Sequence, residues 1–144
     1  MSAVRPGGPI EILMVEDNAG DVRLAREALK NGRLTSHLTV AEDGYKALDL
    51  LRREREALPD LILLDLNMPH KNGYEVLAEV KEDEILRRIP VIVLTTSQDR
   101  QDIIRAYNLH ANCYIVKPFD FEQFVQVVRM IEDFWTRTVY LPAR

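Results

Sequence analysis

Five short aliphatic runs, each followed by a stretch of helical length, constrain the architecture of this chain more than any other feature. The runs are 10–15 (IEILMV), 37–41, 61–64 (LILL), 91–94 and 113–116 (CYIV). Short, nearly continuous apolar runs read as strands buried on both faces. The segments between them carry helix signals. Asn18 is an N-cap candidate with Asp21 three residues later, and Asn31-Gly32 closes that helix. Asp43 precedes an apolar face of Ala47, Leu48 and Leu51, and Tyr74, Leu77 and Val80 align after the turn-rich loop 67–73. A helix over 99–108 follows the fourth run, and Asp120-Phe-Glu-Gln123 opens the last helix with a near capping box.

Strand and helix in alternation, with crossovers of helical length, specify a parallel sheet covered by helices on both faces. Right-handed crossovers and the all-aliphatic third run at the centre give a five-stranded, flavodoxin-like α/β fold of order 2-1-3-4-5. The second run alternates enough to be an edge strand.

At 144 residues the chain has the size of one domain. Positions 1–9 are expected to be a flexible tail, 10–136 the folded domain and 137–144 a C-terminal extension. A formal charge of −4 argues against a nucleic-acid surface. No apolar run approaches the roughly 20 residues that cross a bilayer, and the N-terminus lacks the hydrophobic block of a secretion signal. The single cysteine, Cys113, reads as a small hydrophobe in a buried strand. A reducing cytoplasm fits these features.

The functional information sits where the runs end. Glu16-Asp17 follows the first run, Asp65 closes the third, Thr95 closes the fourth and Lys117-Pro118 follows the fifth. In a parallel sheet these stops share one edge, where open α/β sheets bind ligands. Glu16, Asp17 and Asp65 gathered there repel one another unless a cation intervenes. An all-oxygen donor set suits Mg²⁺ better than Zn²⁺, which prefers His and Cys. Asp65 is the candidate nucleophile, because carboxylates form aspartyl-phosphate intermediates. An arriving phosphoryl group needs an opposing cation and a hydroxyl donor, which Lys117 and Thr95 can provide. Taken singly, each residue has a plainer role, Asp17 as a helix cap, Thr95 as a structural hydroxyl and Lys117 as an exposed cation. Their joint occurrence in this order points to a phosphoacceptor site.

The stretches MVEDN, LILLDLNMPHKNG, IPVIVLTTS and CYIVKPF resemble those of response-regulator receiver domains, over roughly 10–135. The resemblance implies that Asp65 accepts a phosphoryl group from a histidine kinase or phosphotransfer protein. It implies Mg²⁺ held directly by Asp17, Asp65 and the backbone carbonyl of Asn67, with Glu16 acting mainly through water. It also implies that Lys117 contacts the phosphate and precedes a cis peptide to Pro118. Thr95 is the implied switch hydroxyl, preferred over its neighbour Thr96, with Tyr114 as switch aromatic. Gly73 is expected to supply a backbone conformation closed to other residues, and His70 to be an exposed loop residue.

Output is expected to come from a surface. Phe121, Phe124, Val125, Val128, Ile131 and Trp135 form the stripe expected against the sheet. Val127, Met130 and Phe134 form a second stripe, covered either by the folded-back tail or, in the sharper reading, by a second copy in a homodimer. The segments EDNAGD, DLNMPHKNGYEVL and LTTSQ, with the aromatic last helix, resemble single-domain regulators that pair with bacterial phytochromes. Two rivals fare worse. A phosphohydrolase resembling the haloacid-dehalogenase family wants an Asp where Asn67 stands. A flavin- or nucleotide-binding module wants a phosphate-cradling turn where the acidic Glu16-Asp17-Asn18 stands.

Overall fold

Strands begin where the aliphatic runs begin, and helices begin at their caps. The computed structural model describes residues 9–68, 70–118 and 120–137, with side chains described as far as Asp133. In chain order the elements are β1 (Ile10–Val15), α1 (Ala19–Lys30), β2 (Ser36–Ala41), α2 (Gly44–Arg53), β3 (Leu61–Leu64), α3 (Gly73–Glu82), a short 3₁₀ turn (Leu86–Arg88), β4 (Val91–Thr95), α4 (Arg100–Asn108), β5 (Cys113–Val116) and α5 (Phe121–Arg137). Side-chain oxygens of Asn18, Asp43 and Asp99 accept backbone N–H groups at the starts of α1, α2 and α4. At α3 the cap is reciprocal. Asn72 accepts from the Glu75 N–H, and Glu75 accepts from the Asn72 N–H. Asp120 accepts from the Gln123 N–H at the head of α5.

All strand pairs are parallel, in the order β2-β1-β3-β4-β5. The flavodoxin-like order expected from the run pattern is therefore the one adopted. All four residues of β3 are buried, as its central place requires. Alternate strand residues serve two cores. Leu13, Val15, Ile62, Leu64, Val91 and Val93 pack with α2, α3 and α4. Ile12, Met14, Leu61, Leu63 and Leu94 pack with Ala25 and Ala28 of α1 and Phe124, Val128 and Ile131 of α5.

Three expectations change here. Cys113 is only half-buried, because β5 is the second edge of the sheet. Phe121, assigned to the inward stripe of α5, is exposed at the head of the helix. Val127 packs against the core beside α1, whereas Met130 is 58% exposed. The outer stripe divides because α5 leans on α1 as well as on the sheet. Glu132 of α5 accepts the Leu34 N–H at 2.7 Å, and Arg33 pairs with Asp133. Phe134 and Trp135 fall beyond the described side chains. The tails expected at 1–9 and 137–144 lie, apart from Pro9 and Arg137, outside the described residues. Among the described residues no helix is long and apolar enough to cross a membrane.

Candidate functional site

Strand register alone brings the polar stops together. Val15 pairs with Leu64, so the next residues, Glu16 and Asp65, emerge side by side. Ladder bonds run on past the strands and fix them. The Glu16 N–H donates to the Ala41 carbonyl at 3.0 Å, and the Asp65 N–H to the Val15 carbonyl at 3.1 Å. At the other side Thr95 pairs with Val116, and the Lys117 N–H donates to the Thr95 carbonyl at 2.8 Å. Asp17 stands one residue past Glu16 and is exposed, while Glu16, Asp65, Thr95 and Lys117 are buried.

One carboxylate oxygen from each of Glu16, Asp17 and Asp65 lies within 4.8 Å of the others. Hard cations such as Mg²⁺ and Mn²⁺ take donor sets of this kind, supplemented by water. The residues therefore fit a divalent ion. Asn67 sits on the adjoining loop, with its N–H 3.2 Å from Asp65 Oδ1 and its Nδ2 3.5 Å from Thr95 Oγ1. Thr95 has no exposed surface and its hydroxyl lies within reach of Asn67, whereas Thr96 is exposed.

Lys117 Nζ is the cation of the pocket. It lies 2.5 Å from Glu16 Oε1, 2.7 Å from Asp21 Oδ2 and 3.4 Å from Asp65 Oδ2. Burial pulls the pKa of this ammonium down, but Asp21, Glu16 and Asp65 outweigh burial and the net shift is upward. Glu16 moves the other way from an ordinary carboxylate. Burial, with the Asp65 charge adding to it, overcomes the Lys117 contact and pushes its pKa up to about 7. Proximity to a lysine does not fully compensate a carboxylate left without water among other acids.

Asp21 was legible only as an acid in the first turn of α1, and its bond to Lys117 was missed. The available signal was position, because Asp21 stands one helical turn past the acidic pair and faces the same strand edge. A second missed group flanks Thr95. Ser97 Oγ and Tyr74 OH each donate to Asp102, both at 2.6 Å, and Tyr114 OH donates to the Ser97 carbonyl at 2.9 Å. These bonds hold Asp102 below the usual carboxylate range and, with burial leading, raise the Tyr74 phenol. Tyr114, half-buried and packed on the core, therefore anchors the loop after β4.

Two further expectations are corrected. The Lys117–Pro118 bond is trans, and the described residues contain no cis peptide. Trans is also the ordinary preference of an X–Pro bond. Gly73 is not in the left-handed region. It is required for space, because a Cβ there would stand 2.3 Å from the Asp65 carbonyl oxygen and 2.6 Å from Leu66 Cα. His70, which is exposed, is the loop residue with positive φ (68°).

A parallel five-stranded sheet with an acidic triad, a buried lysine and a buried threonine at its carboxyl edge defines a phosphoacceptor receiver, a signalling domain rather than a conventional enzyme. The chain belongs to the response regulator receiver domain family, with residues 12–129 matching it. It is 46% identical over 139 residues to response regulator Rcp1 of Synechocystis sp., covering 94% of this chain and 95% of that protein. Among solved structures it is similar to the phosphorylated cyanobacterial phytochrome response regulator RcpA, with 47% identity and a TM-score of 0.87 over 94% of this chain and all of that one. The Mn²⁺-bound form of Rcp1 superposes with a TM-score of 0.84 over 94% of this chain and 100% of that one, at 46% identity.

Proposed function

We propose that this chain acts as a single-domain response regulator, taking a phosphoryl group onto Asp65 from the phosphohistidine of a phytochrome-type histidine kinase or a phosphotransfer protein. The observation that supports this most directly is the convergence of Glu16, Asp17, Asp65 and Lys117 at one edge of the sheet. The likeness to Rcp1 and RcpA supports the choice of kinase class.

In this mechanism an Asp65 carboxylate oxygen attacks phosphorus while the bond to the donor's leaving group breaks. Asp17, Asp65 and the Asn67 carbonyl are the proposed direct ligands of Mg²⁺, with Glu16 acting through water. The ion, when bound, neutralises charge developing on the phosphoryl oxygens. Lys117, 3.4 Å from Asp65, is the protein's own cation for those oxygens. Thr95 offers its hydroxyl to the new phosphoryl oxygens. Tyr114 then gives up or keeps its bond to Ser97 according to where the Thr95 loop moves.

The resulting change is read by partners in the cytoplasm or by a second copy. Met130 on α5 is exposed, together with Ile104 and Tyr107 on α4, Val116 on β5 and Phe121 at the head of α5. This apolar set supports self-association through the last helix. The direct test is labelling by acetyl phosphate with Mg²⁺. One phosphoryl group per chain is expected, and none in Asp65→Asn. Labelling that persists in that variant at the wild-type rate overturns the site assignment, and an equal sedimentation coefficient with and without a phosphate mimic overturns phosphorylation-dependent pairing.

A further inference from the structure

An ammonium has three protons to donate, and Lys117 has three carboxylate partners. Two of them, Glu16 at 2.5 Å and Asp21 at 2.7 Å, are closer than the acceptor Asp65 at 3.4 Å. The lysine donates to Asp21 and Asp65 and is ion-paired with Glu16, so it is ringed by three carboxylates before any phosphoryl group arrives, and a phosphoryl oxygen that reaches it displaces one of them. The three partners differ in how easily they can let go. The side chain of Glu16 is 1% exposed and that of Asp65 7%, whereas that of Asp21 is 26% exposed. A released carboxylate must be rehydrated, and burial makes that costly for the first two. Asp21 alone stands at the rim, where water can take the place of the ammonium.

Asp21 is also held in position independently of the lysine. It lies in the first turn of α1, and its N–H donates to the capping Asn18 side chain at 3.0 Å. Helix α1 is in turn anchored to the core by Ala25 and Ala28. The carboxylate therefore stays at the rim whether or not Lys117 occupies it.

From this we infer that Asp21 is a positioning residue, which draws the Lys117 ammonium toward the rim, closer to itself than to Asp65, in the unphosphorylated state and yields it to the phosphoryl group. The inference rests on Asp65 being the phosphoacceptor. In this arrangement Asp21 restrains phosphorylation, because part of the barrier is the transfer of the ammonium from one anion to another. The lysine would otherwise already face the incoming group.

The test is a double-mutant cycle of Asp21→Asn and Lys117→Gln, with acetyl phosphate as donor at saturating Mg²⁺. Asp21→Asn is expected to accelerate labelling by about fivefold, the worth of an ion pair at a partly exposed rim. In the Lys117→Gln background the same substitution should change the rate by less than about twofold, since coupled sites lose their interaction when either member is removed. An unchanged or slower Asp21→Asn protein overturns the inference, as does an equal acceleration in both backgrounds, which would mark a bulk effect of charge. A second reading comes from the metal-free proteins. The two substitutions should be non-additive in urea midpoint, and additivity overturns the proposed coupling. Absence of labelling in the wild-type protein would instead refute the phosphoacceptor reading beneath it.

Discussion

Replacing Gly73 by alanine should damage the phosphoacceptor site through backbone alone. A Cβ built there stands 2.3 Å from the Asp65 carbonyl oxygen, 2.6 Å from Leu66 Cα and 3.0 Å from the Asp65 carbonyl carbon. Every one of these atoms is main chain, so no side chain can swing aside. The Gly73 N–H also donates to the Leu66 carbonyl at 3.0 Å, and that bond must stretch if the two segments part. Overpacking in a dense interior costs about 1–3 kcal/mol, and a main-chain obstacle places this case at the upper end. Against it stands a gain of at most about 1 kcal/mol from replacing glycine by alanine in a helix. The net loss is about 2 kcal/mol, or a melting temperature lower by roughly 6–10 °C. Relief of the clash displaces Asp65 by a sizeable fraction of an ångström, and misplacement of a reacting group on that scale lowers rates by about ten- to a hundredfold. Calorimetry and the initial rate of acetyl phosphate labelling, measured well below the melting temperature, check both consequences. Gly20→Ala is the control, since its Cβ would approach only the Asn18 side chain, at 3.1 Å. A Gly73→Ala protein that melts and labels like wild type would refute the argument from close approach.

Two further predictions concern stability and pH. Glu16 has a folded pKa near 7 against 4.5 for a free glutamate. The folded state therefore binds its proton more tightly, and the metal-free protein should lose stability as pH rises from 5 to 8, by at most about 3 kcal/mol. Lys117 is charged in both states across that window and contributes no slope. Urea melts should show the loss, Mg²⁺ should reverse it, Glu16→Gln should abolish it, and a flat profile for the wild-type protein would contradict the shift. Glu132→Ala removes the acceptor of the Leu34 N–H at the junction of α5 with the segment between α1 and β2. It should cost about 1–3 kcal/mol in denaturant unfolding and leave the Asp65 labelling rate unchanged.

The contrast between Glu132 and Glu16 shows what a linear reading can reach. Glu16 was identifiable because a carboxylate directly after a buried strand is anomalous in itself, and its neighbours in the fold are other strand ends. Glu132 lies in a helix next to Asp133, where an acid is unremarkable until the segment after α1 is packed against it. The caps at Asn18 and Asp43 belong with Glu16, since capping acts over three or four residues. The bonds linking Ser97, Asp102, Tyr74 and Tyr114 belong with Glu132. Tyr74 and Asp102 are 28 residues apart and share no pattern in the chain.

By itself the sequence determined the strand order, the central place of β3 and the polar edge of the sheet, and it nominated Glu16, Asp17, Asp65, Thr95 and Lys117 there, because each follows from local composition and the rules of parallel topology. Tertiary structure decided the rest. It paired Lys117 with Asp21 across 96 residues, buried Thr95 while leaving Thr96 exposed, drew Val127 onto the core and required glycine at position 73 for space, with φ outside the left-handed region. Such choices depend on distances between elements, which close packing sets only after the whole chain has folded.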